Sequence, residues 1–339
     1  MRGLLRRHGW HPTSFQILDG DYRYWFSEDA VIAYVDTGRA LIVAGAPICP
    51  PEGIADVAGR FVAGAERRGR AVAFFGVHGC FLGRTGLPAI PIGESLFWDP
   101  RAWPDVLRGT SSLRAQLRRG LAKGVRVELL VDRIEPLRPT LEALQSRWLE
   151  AQPMAQLAFL STPASLRDAF TGDRTFLVAW LGRRPVGYLC LSPIHARRGV
   201  LVQDWVRDPS APNGTTDLLL DAAFRWAAHT GLRYASLGLS PLAGVASPWL
   251  RVARVVGRPL FDFEGLHAFK ARLRPQGSEP AFLALAGASP AALIIESLRV
   301  FAGGSLAIFG AATLRKHLPP LGLANLISGS SRLRPSDPS

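Results

Sequence analysis

The residue types best suited to chemistry gather in one stretch, VQDWVRDPSAPNGTTDLLLDAAFRWAAHTGLRYASLGLSPLAG, residues 202–244. Asp204 and Arg207 stand at the end of an apolar run, Pro212, Asn213 and Gly214 form a turn, and Thr215 or Thr216 is placed to cap the next helix. A helix N-terminus offers free N–H groups and a partial positive charge, so this turn suits a phosphate, a carboxylate or a developing oxyanion. Spacing alone does not separate such a site from a plain strand, turn and capped helix.

A second chemical signal is basic. Six basic residues and no acid lie from Arg108 to Arg126. Ser111 or Ser112 can cap a helix there, and the pairs Arg114/Arg118 and Arg119/Lys123 fall on common faces at four-residue spacing. Like charges at that spacing weaken an isolated helix, so the segment is either a solvated face or a contact for an anion. The whole chain leans the same way, with a net charge of +13 that is almost all arginine, since lysine occurs only at Lys123, Lys270 and Lys316. Arginine binds phosphate and carboxylate through a planar fork, which points to nucleic acid, a phospholipid surface or both as partner.

Other chemistries are disfavoured. Cys49, Cys80 and Cys190 follow no metal-ligand spacing, and His78 and His195 lack the companions of a metal or triad site, so no metal is expected. No P-loop or dinucleotide fingerprint is present. The N-terminus MRGLLRRHGW lacks the apolar run of a signal peptide, which favours a reducing cytoplasm.

Length and patterning supply the elements that must hold these groups. At 339 residues and 48% hydrophobic composition, the chain predicts two domains, since domains run ~100–200 residues. Residues 30–35 and 40–44 read as strands around the turn 36–39, residues 54–68 as a helix, and 71–77 as a buried strand. A similar order follows: a helix at 137–150, strands at 175–181 and 186–192, a strand at 199–206, a helix at 215–229 and a strand at 234–239. The repetition suggests an internal duplication. Two uncharged stretches, 280–295 and 300–314, each fall short of the ~20 residues of a membrane span. Leu293, Ile294, Leu298, Phe301, Leu306 and Phe309 make this region either an interfacial amphipathic helix or one packed on the second domain.

The 202–244 stretch resembles the synthase domain of the phosphatidylglycerol lysyltransferases, the multiple peptide resistance factor family. Its elements here read Asp204-Trp-Val-Arg207, Asp208-Pro-Ser-Ala-Pro-Asn-Gly214 and Leu237-Gly-Leu-Ser-Pro-Leu-Ala-Gly244. FEGLHAFKARLRP, residues 263–275, with Glu279-Pro280 after it, is similar to the same family, as are IGESLFWDP and the basic helix beyond it. The resemblance spans roughly residues 10–285.

It implies an α/β fold of two tandem GNAT-like domains with mixed sheets, residues 1–125 and 126–280, and a helical tail, 281–339. It implies aminoacyl-tRNA as co-substrate, no separate cofactor, a phosphatidylglycerol-like hydroxyl as acceptor, an anionic membrane surface as partner, and a peripheral position on the inner face of the cell membrane. Carried over by position, Asp204, Arg207, Lys270 and Arg272 form the reacting pocket, with Asp204 holding the ammonium of the amino acid or locked to Arg207. Trp205, Asn213, Gly214, Thr215, Asp217, Gly238, Arg118 and Arg119 are its substrate-binding candidates. The turn at 211–216 lacks the Gln/Arg-x-x-Gly-x-Gly/Ala pattern of acetyl-CoA enzymes. The segment LEAQPMAQLAFL departs from the family, and its Met154, Leu157 and Phe159 imply a more apolar donor pocket than lysine needs. Transfer to a peptide or small metabolite, and a non-catalytic membrane- or RNA-binding module, are the alternatives.

Overall fold

The computed structural model describes residues 1–130, 134–167, 171–243 and 263–317. Its first half runs α1 (Arg2–His8), β1 (Arg23–Ser27), β2 (Ala30–Asp36), β3 (Ala40–Ala44), α2 (Ile54–Glu66), β4 (Ala71–His78), α3 (Gly79–Thr85) and β5 (Ala89–Trp98). Two helices, α4 (Trp103–Gly109) and α5 (Ser111–Ala122), lead to β6 (Val125–Leu130), α6 (Ile134–Glu150), β7 (Thr175–Leu181), β8 (Arg184–Ile194) and β9 (Gly199–Arg207). Then come α7 (Thr215–His229), β10 (Tyr234–Pro241), α8 (Phe263–Arg272), β11 (Gly277–Ala286), α9 (Pro290–Phe301) and α10 (Leu306–His317).

The eleven strands among the described residues form one sheet in the order β1-β2-β3-β4-β11-β5-β10-β9-β8-β7-β6. Each half contains an antiparallel hairpin and then a parallel strand–helix–strand crossover, β2-β3-α2-β4 in one and β8-β9-α7-β10 in the other. This is the expected pair of GNAT-like units. The halves also exchange strands. β5 leaves the first half to pair with β10, while β11, from near the chain's end, inserts between β4 and β5.

That exchange corrects one expectation. A helical tail from residue 281 is not what forms: residues 281–286 complete β11 at the centre of the sheet. The boundary placed at 280 falls inside this strand. Its run Ala281–Ala286 is uncharged because both its faces are covered, Leu283 and Leu285 packing on one side and Ala284 on the other.

The sheet's two faces carry different helices. Helices α2 and α3 cover one face of the first half, and α4, α5, α7 and α8 continue that layer over the second. The opposite face holds the N-terminal segment, α6 and α9. Two tryptophans anchor the first layer: Trp103 stacks on Phe224 at 4.4 Å, and Trp98 Nε1 donates to the Leu273 carbonyl at 2.8 Å. Among the described residues no single helix is long and apolar enough to cross a membrane. The pair α9 and α10 passes by length and composition, but bends by 50° at its break.

Candidate active site

The parallel pair β9/β10 is short. Gly199, Val200 and Leu201 align with Tyr234, Ala235 and Ser236, and beyond them the strands part. A bulge in β10 accompanies the parting: its register against β5 shifts between Ser236 and Leu239, and Gly238 adopts φ 71°, a left-handed conformation that glycine enters at little cost. Ser236 Oγ accepts from the Gly238 N–H at 3.1 Å and holds the bulge.

Lys270 fills the resulting wedge. It projects from α8, is 1% exposed, and donates from Nζ to the carbonyls of Gly238 (3.0 Å) and Leu239 (2.9 Å). No carboxylate pairs with it among the described residues, and the Trp205 ring lies 5.9 Å from the ammonium. Burial alone pushes its pKa from 10.5 down to about 7. An ammonium has three donors, and among the described residues the bulge takes two of them.

Beside it, Arg272 donates to Asp217 in the first turn of α7 at 2.5 Å, and the Arg272 guanidinium lies 5.0 Å from the Phe269 ring. Burial raises the Asp217 pKa, opposed by Arg272 and Arg207. Arg207 braces the preceding turn, donating to the Ala211 carbonyl (2.7 Å) and to Asn213 Oδ1 (3.4 Å). The helix cap differs from expectation. Gly214 is the N-cap and no side chain caps α7; Thr215 Oγ1 donates back to the Pro212 carbonyl at 2.7 Å. Gly214 thus offers the first turn of α7 no side-chain cap, and two cationic side chains stand beside it, Arg272 on Asp217 and Arg207 on the preceding turn.

The basic helix α5 abuts this turn. Gly214 has φ 94°, and a Cβ there would stand 2.4 Å from the Gln116 carbonyl oxygen. Gly120 is equally tight, 2.6 Å from Leu218 Cδ1. Thr110, rather than Ser111 or Ser112, sits at the N-cap of α5, without a side-chain bond. Arg118 and Arg119 are exposed and have no acidic partner among the described residues, so a positive face flanks the α7 N-terminus.

Asp204 is elsewhere. Successive side chains of a strand point to opposite faces, so Asp204 turns away from Trp205 and Arg207. It packs with Tyr188 and Cys190 on the α6 side and accepts from the Ala164 N–H at 2.9 Å. Burial raises its pKa from 3.8 to about 7. The expected Asp204–Arg207 lock is therefore absent, and the carboxylate that meets the cations is Asp217. Of the sequence-derived candidates, Arg207, Lys270, Arg272, Trp205, Asn213, Gly214, Thr215, Asp217 and Gly238 are brought together, with Arg118 and Arg119 at the margin and Asp204 behind the sheet. Gly244 lies outside the described residues.

Sequence reasoning missed a buried polar network on the Asp204 face. Arg174 pairs with Asp19, and Gln203 joins them, donating to Asp19 Oδ2 and accepting from Ser192 Oγ, both at 2.6 Å. Asp19 also lines a cleft of about 490 Å³ with Tyr22, Asp36, Phe159, Arg299 and Gly304. The apolar segment around Phe159 thus borders this cleft and not the Lys270 wedge. Asp19 and Arg174 are 155 residues apart and no spacing links them.

The family described as "Phosphatidylglycerol lysyltransferase, C-terminal" matches residues 2–285. The phosphatidylglycerol lysyltransferase of Bacillus subtilis (strain 168) is 24% identical over 308 residues, covering 81% of this chain. The chain spans about a third of that relative's length, 34%. Among solved structures, the C-terminal domain of a candidate lysylphosphatidylglycerol synthetase from Agrobacterium fabrum superposes with a TM-score of 0.77 at 23% identity, covering 90% of this chain and 96% of that one. The structure named L-PGS from Bacillus licheniformis gives 0.72 at 20% identity, covering 88% and 95%. Both likenesses concern the fold.

Proposed function

The chain belongs to the phosphatidylglycerol lysyltransferase C-terminal family, and from that premise we propose that it transfers an aminoacyl group from aminoacyl-tRNA to the hydroxyl of a phosphatidylglycerol-like lipid at the inner face of the cell membrane. The observation that carries this reading is Lys270, a lysine buried in the wedge between β9 and β10 that, among the described residues, has no carboxylate partner and donates only to two backbone carbonyls.

In the reaction, the lipid hydroxyl attacks the ester carbonyl of the aminoacyl-tRNA. The bond to the terminal ribose oxygen breaks, a new ester forms, and the hydroxyl proton passes to the ribose oxygen. The Lys270 ammonium faces the carbonyl oxygen as it becomes tetrahedral, in a dry site where a fixed donor acts most strongly. With a pKa of about 7, the same amine can also exchange a proton near neutral pH. Arg207, Arg272 and the uncapped start of α7 receive the phosphates at the tRNA end, and Arg118 and Arg119 extend that surface. The acceptor hydroxyl has to reach the same carbonyl, beside Lys270 in the wedge between β9 and β10.

The test is transfer in vitro, with purified chain, tRNA charged with each amino acid in turn, and phosphatidylglycerol vesicles. The expected product is an aminoacylated lipid whose mass names the amino acid, and it is lost in Lys270→Ala with folding intact. No lipid product with any amino acid would overturn the proposal, and a product on added peptide or metabolite would redirect it.

A further inference from the structure

Helices α9 and α10 leave an apolar surface uncovered among the described residues. Ile295 and Leu298 on α9 and Leu306, Ile308 and Leu314 on α10 are between 44% and 72% exposed. Elsewhere the large exposed apolar side chains, Trp10, Phe26, Leu121 and Leu129, are scattered. Single exposed apolar residues are ordinary, but a run of aliphatics on consecutive helices is not. Little of α10 is used for packing. It is pinned to the end of α6 and the segment after it, by Thr313 Oγ1 accepting from the Ala155 N–H (3.1 Å) and by Lys316 donating to the carbonyls of Leu149 (2.8 Å) and Gln152 (3.1 Å). Gly303 and Gly304, at φ 67° and 100°, form the break between the two helices.

Charge selects the occupant. From Pro290 to His317 the one acid is Glu296, which is 4% exposed and accepts from Arg299 at 3.0 Å. The exposed charges are Arg315 and Lys316. An anionic surface therefore meets cations and no free carboxylate, whereas a second copy of this chain would oppose like charges. The aliphatic side chains also lack the aromatic and arginine anchors that dominate protein interfaces. The surface adjoins the cleft, whose wall includes Arg299, Val300, Gly303 and Gly304. Of the cleft's three carboxylates, Asp19 is paired with Arg174 and Asp36 with Arg23 and Arg70, while Asp21 is exposed; among the described residues the buried Tyr22 hydroxyl has no partner.

We propose that α9 and α10 are the docking surface by which this chain lies on an anionic bilayer, with Ile295, Leu298, Ile308 and Leu314 entering the interface and Arg315 and Lys316 at the head groups. Docked in this way, the cleft opens towards the lipid. The assignment rests on the acceptor being a membrane lipid, and it names the surface that reaches it.

The experiment is flotation of the full chain with vesicles of phosphatidylglycerol and phosphatidylcholine, and of phosphatidylcholine alone. The wild type floats with the anionic vesicles and less with the neutral ones. The double variant Ile308→Glu/Leu314→Glu loses at least about tenfold in vesicle affinity with an unchanged unfolding midpoint, while Phe26→Glu binds as wild type. Equal flotation of wild type and double variant overturns the proposal. So does a wild-type dimer in light scattering that the double variant dissolves, with no flotation of either. Flotation needs no donor, so a chain that floats but transfers nothing upholds the docking surface and sinks the proposed reaction.

Discussion

The two crossovers of the sheet share one topology and differ in how far their strands stay together. In the first half, β3 and β4 pair along all of β3, from Ala40 with Ala71 to Ala44 with Phe75, and the Gly45 N–H extends the ladder to the Phe75 carbonyl. In the second, β9 and β10 separate after Leu201 and Ser236. The second strand of each crossover carries a left-handed glycine, Gly76 of β4 at φ 79° and Gly238 of β10 at φ 71°. At the end of β4 the chain's own N-terminal segment packs in, the His11 ring hydrogen-bonding the Gly76 backbone and lying 4.2 Å from the ring of His78. Arg197 crosses from the second half to seal this end, lying 4.2 Å from the Trp10 ring and 3.6 Å from Tyr234 and donating twice to Glu279. The two halves thus provide two equivalent corners, and a wedge holding a buried cation arises only in the one where the strands diverge.

The largest effect that can break this comparison is catalytic. Lys270→Ala is expected to reduce transfer by about a hundredfold or more, while His11→Ala, at the sealed corner, leaves the rate within about threefold once stability is matched. Equal losses in the two variants, in a steady-state transfer assay, would remove the distinction between the corners.

Next in size is backbone strain. Gly214→Ala places a Cβ against the Gln116 carbonyl at positive φ, so it should cost more than ~2 kcal/mol in denaturant unfolding. In the first half, Gly38 has φ 84° but open space around it, and Gly38→Ala should cost about 1 kcal/mol.

The smallest effects are pH slopes, and they sharpen the contrast by sign. Asp204 has a folded pKa of about 7, raised from 3.8, so the native state holds a proton that the unfolded chain releases and stability falls with rising pH across that window. Asp204→Asn removes this slope and gains on the wild type between pH 4 and pH 7, about the window set by the two values. His78, lowered from 6.5 to about 4 by burial, acts in the opposite sense. Stability rises between those values because the unfolded chain binds the proton first, and His78→Gln should flatten the acid limb of the unfolding profile.

Much of the fold can be read from periodicity. The turn at 36–39 between two apolar runs, the helix bounds Thr215–His229 and the strand pair 175–192 all follow from local pattern. β11 does not. A short uncharged run reads equally as buried strand or helix, and its partners β4 and β5 lie far away in sequence. The site was half legible. The family resemblance brought out Lys270, Arg207 and Arg272, yet pairing Asp204 with Arg207 overlooked that residues three apart on a strand point to opposite faces. The wedge itself, formed where two strands part around a lysine from a third element, is a tertiary fact with no local signature.

The most direct test of the central claim is a pH titration of the lysine side-chain nitrogens by ¹⁵N NMR, feasible because the chain has three lysines, with and without a short 3′-aminoacyl nucleotide. The account predicts one resonance that titrates near 7, vanishes in Lys270→Met and shifts when the fragment is added. A Lys270 signal that titrates close to 10.5 and ignores the fragment would contradict it.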